Sequence, residues 1–390
     1  MTVPQYETPV TADLIRGALD LEPTPDGGLI PHRLPPRARA QNTDPQLAAV
    51  EVQPSGVRVV FRTSATEIEL EVVPTNRVYA AAPPRPPARY DLVVDGELTA
   101  QAAATGGHTL TIDMVTGATE FTEGPPGTVR FTDLPDRPKN IEIWLPYAQK
   151  TELRTLRTNA PIEPATPSTR KLWLHHGSSI SHGTDAASPT AIWPAVAARL
   201  GNIDLLNLGF GGSAMLDQFT ARAIRDTPAD LITLKIGINI ANVDAMRMRA
   251  FGPAVHGFLD TIRDGHPNTP LLVISPIHCP IHETTPGPGA LDTKAFAEGK
   301  LKFLATGDPE EAARGRLTLV TMREALERIV GERAQEDDKL AYLDGRELYG
   351  PQDKDLPLPD DLHPDTETHR RMGERFAELE IFNGGGYVGS

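Results

Sequence analysis

Leu172-Trp173-Leu174-His175-His176-Gly177-Ser178-Ser179-Ile180-Ser181 is the stretch on which the fold turns. A short apolar run ends abruptly in small and polar residues. That is the pattern of a buried strand running into a turn. The chain after it repeats the rhythm. Ala191 to Leu200 carries a helical pattern, Ile203 to Leu208 a strand, and Leu216 to Arg225 a second helix. Leu231 to Ile236, Leu271 to Ile274 and Leu340 to Leu343 read as further strands. Thr321 with Glu324 suggests a capping box for a helix through Val330, and Asp365 an N-cap for a last helix reaching about Leu379. Strand–helix alternation of this kind predicts a doubly wound α/β domain with a five-stranded parallel sheet covered on both faces.

The chain before this region reads differently. Glu67 to Val72, Thr109 to Met114 and Asn140 to Ile143 alternate polar and apolar residues with period two, as half-buried strands do. Asp95-Gly96 between two apolar runs signals a hairpin, because a type I′ turn needs positive φ at both positions. Many of the 37 prolines fall in the first 170 positions, which favours turns and short strands over long helices. The expectation is an antiparallel, jelly-roll-like β-sandwich over 1–157. A linker follows at 158–170, rich in proline and small polar residues, and then the α/β domain at 171–390.

Composition narrows the function classes. The chain has 390 residues, 39% of them hydrophobic and 23% charged, as expected of a globular protein. Acidic residues outnumber basic ones by 52 to 38, giving a formal charge of −14 that repels phosphate backbones, so nucleic acid is an unexpected partner. No run approaches the ~18 apolar residues of a membrane span, and no membrane partner is expected. The first residues show no signal-peptide pattern, and Cys279 is the single cysteine, so a cytoplasmic location is expected.

Ligands of open parallel sheets sit at the carboxyl ends of the strands. Four segments fall there or beside them: Gly177-Ser178-Ser179-Ile180, Asn207-Leu208-Gly209-Phe210-Gly211-Gly212, Gly237-Ile238-Asn239 and Asp360-Asp361-Leu362-His363-Pro364. Acyl transfer needs these residue types. A serine hydroxyl attacks only when a base takes its proton, and histidine titrates near neutrality. A carboxylate on the far ring nitrogen fixes the tautomer. The oxyanion that forms needs donors, which glycine-turn N–H groups and an asparagine amide supply. Ser179, Asp360 and His363 are therefore the candidate catalytic residues. Ser179 N–H, Gly212 N–H and the Asn239 side chain are the candidate oxyanion donors. No metal and no cofactor are called for.

Together the four blocks resemble the SGNH (GDSL-like) hydrolase family, in family order and over Lys171 to Leu379. The resemblance implies a flavodoxin-like fold and an acyl-Ser179 intermediate. One departure is Ser178, where the family carries an aspartate that supports the nucleophile loop; serine keeps a hydrogen bond there but not the charge. An N-terminal sandwich also occurs in two-domain carbohydrate esterases and in a transferase-type subgroup. The phrases Gly209-Phe210-Gly211-Gly212-Ser213, Pro276-Ile277-His278-Cys279-Pro280 and Asp361-Leu362-His363-Pro364 look closest to the transferase type. The implied partners are an acyl ester or thioester donor, including one linked to coenzyme A, and water or a hydroxyl acceptor. A polyketide hydroxyl taking an aryl-acyl group is one implied form, and a carbohydrate O-acetyl esterase is the alternative. A non-catalytic protein that binds a carbohydrate or another ligand is the alternative of another class.

Other features have plainer readings. Ser179 in a turn could simply cap it, Gly212 could meet only a backbone need, and Asn239 could brace a loop. Gly209-x-Gly211-x-x-Ala214 matches a dinucleotide fingerprint, but it follows the second strand and Lys235-Ile236-Gly237 stands where an acidic residue would hold the ribose. His278, Cys279, His282 and Glu283 cluster in a segment bent by Pro276 and Pro280, so convergence on zinc is not expected. His175 and His176 read as satisfied strand-end histidines, His182 as a neighbour of the site, Asp361 as solvated, and Trp144, Trp173 and Trp193 as packing residues.

Overall fold

A computed structural model describes residues 5–80, 86–113, 116–165 and 168–383. Met114, at the end of an expected strand, and Thr166 and Pro167, in the expected linker, lie outside the described residues. The chain divides into two compact units. One comprises Met1–Pro35, Ala49–Thr169 and Ala187–Thr190; the other comprises Pro36–Ala48, Arg170–Ala186 and Ala191–Ser390.

The first unit is a sandwich of an eight-stranded and a six-stranded sheet. Alternating burial builds its core. Ile68, Leu70 and Val72, Val129 and Phe131, and Leu153 and Leu156 come from the larger sheet. Val59 and Phe61, Leu92 and Val94, and Ile141 and Ile143 come from the smaller one. The Asp95-Gly96 turn joins Tyr90–Val94 to Glu97–Ala102 with φ of 51° and 92°, as a type I′ turn requires. Pairing is antiparallel except that Ile68–Ala80 runs parallel to His108–Asp113. Within the proline-rich stretch, Ile162–Glu163 forms a short edge strand on Arg62–Thr63. The buried Asp91 carboxylate gathers the Ala187–Thr190 segment into this unit. It accepts from Ser188 Oγ at 2.6 Å, Thr190 Oγ1 at 2.5 Å, the Thr190 N–H at 3.0 Å and Gln101 Nε2 at 2.7 Å.

The second unit holds the expected five-stranded parallel sheet. Its spatial order is Asp204–Gly209, Leu172–Gly177, Leu231–Lys235, Leu271–Ile274, Leu340–Leu343. The first strand in sequence thus lies between the second and third, which makes its carboxyl end a topological switch point. On one face Trp173 stacks on Phe376 and packs against Trp193, bringing in helices Trp193–Leu200 and Thr366–Ala377. On the other face His176 meets Phe210 and Phe258, the latter on helix Met248–Arg263. That helix has no clear sequence signal, because Gly252-Pro253 interrupts its pattern. Asp365 caps the last helix through the Thr368 N–H as expected. The capping box of helix Leu319–Arg333 is Thr318 with Thr321, not Thr321 with Glu324, because the reciprocal hydroxyl bonds close one residue triplet earlier. Among the described residues no helix is long and apolar enough to cross a membrane.

Candidate active site

The first strand ends in a one-turn helix, Ser179–His182. Ser178 is its N-cap and accepts the Ile180 N–H at 3.3 Å, while Gly183 closes it at φ 114°. The cap is therefore Ser178, and Ser179 stands at the first helical position with its N–H outside the intrahelical ladder. Ser178 is fully buried, so its hydroxyl supplies the local bond with no charge to be desolvated.

Behind the turn a buried polar chain fixes the strand ends. His175 Nε2 lies 2.7 Å from Ser181 Oγ, and its Nδ1 lies 2.6 Å from Thr233 Oγ1. Burial, with His176 and Lys235 adding to it, holds His175 well below the ordinary imidazole range, so it is neutral. His176 Nδ1 faces the Leu208 carbonyl at 2.8 Å, and His182 Nδ1 faces the Gly209 carbonyl at 3.0 Å. His182 thus ties the nucleophile turn to the glycine block. A Cβ at Gly209 would come within 2.5 Å of the His182 backbone nitrogen, which explains glycine at that crossing. Asn207 braces the same junction, donating to the Ser181 carbonyl at 2.9 Å and accepting the Gly209 N–H at 3.0 Å.

Ser179 Oγ lies 3.0 Å from His363 Nε2. His363 Nδ1 lies 2.6 Å from Asp360 Oδ2. Asp360 Oδ1 accepts the His363 and Leu362 backbone N–H groups at 2.6 and 2.9 Å. Burial alone would raise the Asp360 carboxyl, but the bond and charge of His363 and the two N–H groups outweigh it and hold it below the usual range. The Phe303 and His363 rings meet edge to face with centroids 6.0 Å apart, and Phe303 N–H binds the Asp360 carbonyl at 3.0 Å. Asp361 adopts a left-handed φ of 67° and is half-exposed, pairing with Lys302 at 3.1 Å.

Gly212 has φ 75°, outside the range most residues adopt. Asn239 is the second residue of the helix Ile238–Asn242 and is 4% exposed. Its Oδ1 accepts the Ala214 N–H at 3.1 Å. That bond fixes which end of the amide is which, leaving Nδ2 as a donor with no acceptor among the described residues. Asp185, at left-handed φ 66°, brings a carboxylate within 4.8 Å of ligand atoms of Asp360 and His363. By proximity the three could hold an ion. However, Asp360 directs both oxygens to His363 and Leu362, and His363 directs both ring nitrogens to Asp360 and Ser179. The His278–Glu283 segment does not converge. His278 and the Cys279 N–H bind Glu283, His282 binds Asn242, and the Cys279 Sγ is buried against the Asp361 carbonyl. Trp173 and Trp193 are fully buried packing residues, and Trp144 lies under the Arg58 guanidinium. Two neighbours of the site carry no motif in the sequence: Asp185 and, from a distant segment, Gln46, whose Nε2 donates to the Gly211 carbonyl at 2.9 Å.

The fold is that of an SGNH-type enzyme, and the chain belongs to the GDSL-like lipase/acylhydrolase family, whose model matches residues 176–371. A second family model, the N-terminal domain of SsfX3, matches residues 14–154. Among solved structures, the chain is similar to the salicylyl-acyltransferase SsfX3 from a tetracycline biosynthetic pathway. Identity is 28%, 95% of each chain is covered, and the TM-score is 0.76. A GDSL-like lipase from Bacteroides ovatus shares the fold at 18% identity and TM-score 0.65, over 97% of this chain and 98% of that one. A family two carbohydrate esterase from Clostridium thermocellum shares it at 13% identity and TM-score 0.55, over 84% and 92%. A search of curated protein sequences finds no match. The family implies acyl donor and acceptor substrates.

Proposed function

We propose that the protein transfers an acyl group from a small ester or thioester to a hydroxyl acceptor through an acyl-Ser179 intermediate. The observation that carries this reading is the continuous Ser179–His363–Asp360 relay, with links of 3.0 and 2.6 Å. His363 Nε2 takes the Ser179 proton as Oγ forms a bond to the donor carbonyl carbon. The carbonyl oxygen becomes an oxyanion, received by the Ser179 and Gly212 N–H groups and Asn239 Nδ2. Collapse breaks the bond to the leaving group, which takes the proton from His363. The acceptor hydroxyl then gives its proton to His363 and attacks the acyl carbon. Release of Ser179 Oγ with that proton closes the cycle. Asp360 holds the Nδ1–H tautomer and stabilises the imidazolium formed in each half.

The full-length likeness to SsfX3 supports a hydroxyl acceptor, with aryl-acyl transfer to a polyketide hydroxyl as the specific form. Coenzyme A enters this reading only as the leaving group of a thioester donor. A cytoplasmic location belongs to this reading as well.

An active-site fluorophosphonate tests the reading. Wild type is expected to label at Ser179 and Ser179→Ala not at all; equal labelling overturns it. Adding an alcohol acceptor to acyl-enzyme separates transfer from hydrolysis. Faster release with acylated alcohol as product supports transfer, whereas unchanged release with free acid only makes the protein an esterase.

A further inference from the structure

We infer that Gln46 is a positioning residue that sets the direction of the Gly212 N–H, and so completes the oxyanion site from a segment far from the catalytic blocks. The inference rests on the acyl-Ser179 reading.

The Gly211 carbonyl and the Gly212 N–H belong to one planar trans peptide unit and point in opposite directions. Fixing one fixes the other. Both flanking residues are glycine, so sterics leave that unit free to turn over. A flipped unit would aim a carbonyl, not a donor, at the forming oxyanion. A contact outside the loop has to choose between the two states. Gln46 Nε2 donates to the Gly211 oxygen at 2.9 Å, and the Gln46 side chain lies 3.4 Å from the position a Gly212 Cβ would take.

The segment that carries Gln46 is itself anchored. Gln41 Oε1 accepts from Arg222 Nη2 at 2.5 Å, joining helix Pro36–Gln41 to helix Gln218–Arg225. Asn42 Oδ1 accepts the Asp44 N–H at 2.9 Å and Asn42 Nδ2 donates to the Asp44 carbonyl at 2.9 Å. Asp44 Oδ1 then accepts the Gln46 N–H at 2.9 Å, at the start of helix Pro45–Glu51. These local bonds turn the chain so that the Gln46 side chain reaches the glycine block. Gln46 is exposed and outside the Ser179–His363–Asp360 relay, so its loss should leave the fold and the proton relay intact.

The test compares Gln46→Met, which keeps length but not the donor, Gln46→Glu, which faces the carbonyl with a carboxylate, and Gln46→Lys, which restores a donor. With a 4-nitrophenyl ester in stopped flow, Met and Glu variants should slow acylation and deacylation by the same factor, about 10-fold for one neutral hydrogen bond. KM and Tm should stay at the wild-type values, and affinity for a trifluoromethyl ketone should fall by that same factor. Gln46→Lys should recover most of the loss. Wild-type kcat and ketone affinity in Gln46→Met, or a rise in KM alone, overturns the inference. If wild-type protein does not label at Ser179, the acyl-serine reading itself falls. Normal labelling with silent Gln46 variants removes only the inference.

Discussion

Asp360 grips His363 at both ends: Oδ2 meets the ring Nδ1 and Oδ1 meets the backbone N–H, each at 2.6 Å. The same carboxylate therefore sets the tautomer and the loop. Asp360→Asn keeps the shape but lets an amide face Nδ1, so kcat should fall steeply, by roughly 10,000-fold where the wrong tautomer results. A loss under tenfold would count against the relay. Because the carboxyl is held below 3.8 by His363 and the N–H groups, the stability it contributes is present above that pH and lost as pH falls through the lowered value. Asp360→Asn should remove that acid-side slope from a denaturation series.

Ser178 holds the nucleophile turn by one buried bond to the Ile180 N–H. Ser178→Ala should cost about 1 kcal/mol, the usual loss for an N-cap, measurable by urea unfolding. No change in stability would show that the cap is not what holds the turn.

Asp91 binds Ser188, Thr190 and Gln101 with a fully buried carboxylate. Asp91→Ala leaves those donors without their charged acceptor and should destabilise by about 2–4 kcal/mol. Asp91→Asn, which keeps one acceptor, should lose less. Equal, small losses would contradict this view of the segment.

Asp217 sits in a partly buried place near Asp44, and burial with that charge raises its carboxyl to about 6. The folded state therefore favours the protonated form, and the stability this gives at low pH is lost as pH rises through 6. Asp217→Asn should leave Tm unchanged near pH 4 and raise it above pH 7. A uniform shift at both pH values would mean the carboxylate is not strained by burial.

What the sequence carried was local. Asp95-Gly96 announced its turn because few residues accept positive φ at both positions. The blocks around Ser179, Gly212, Asn239 and His363 were legible because each follows a recognisable strand or precedes a capped helix. Helix Met248–Arg263 was hidden by Pro253, which forgoes one ladder bond to the carbonyl of exposed Arg249, while Phe251, Val255, Phe258 and Ile262 hold the helix by burial. The capping box slipped because a threonine–glutamate pair looks stronger in sequence than the threonine pair that closes it. Gln46 had no local signal at all. Its partner is 165 positions away, and only tertiary structure brings a glutamine amide to a glycine carbonyl.

Acylation of Ser179 is tested most directly by rapid-quench mass spectrometry after mixing the protein with an aryl thioester. The expected result is a transient adduct of one acyl mass on the peptide containing Ser179, absent in Ser179→Ala. Turnover with no adduct, or the same adduct in Ser179→Ala, would contradict it.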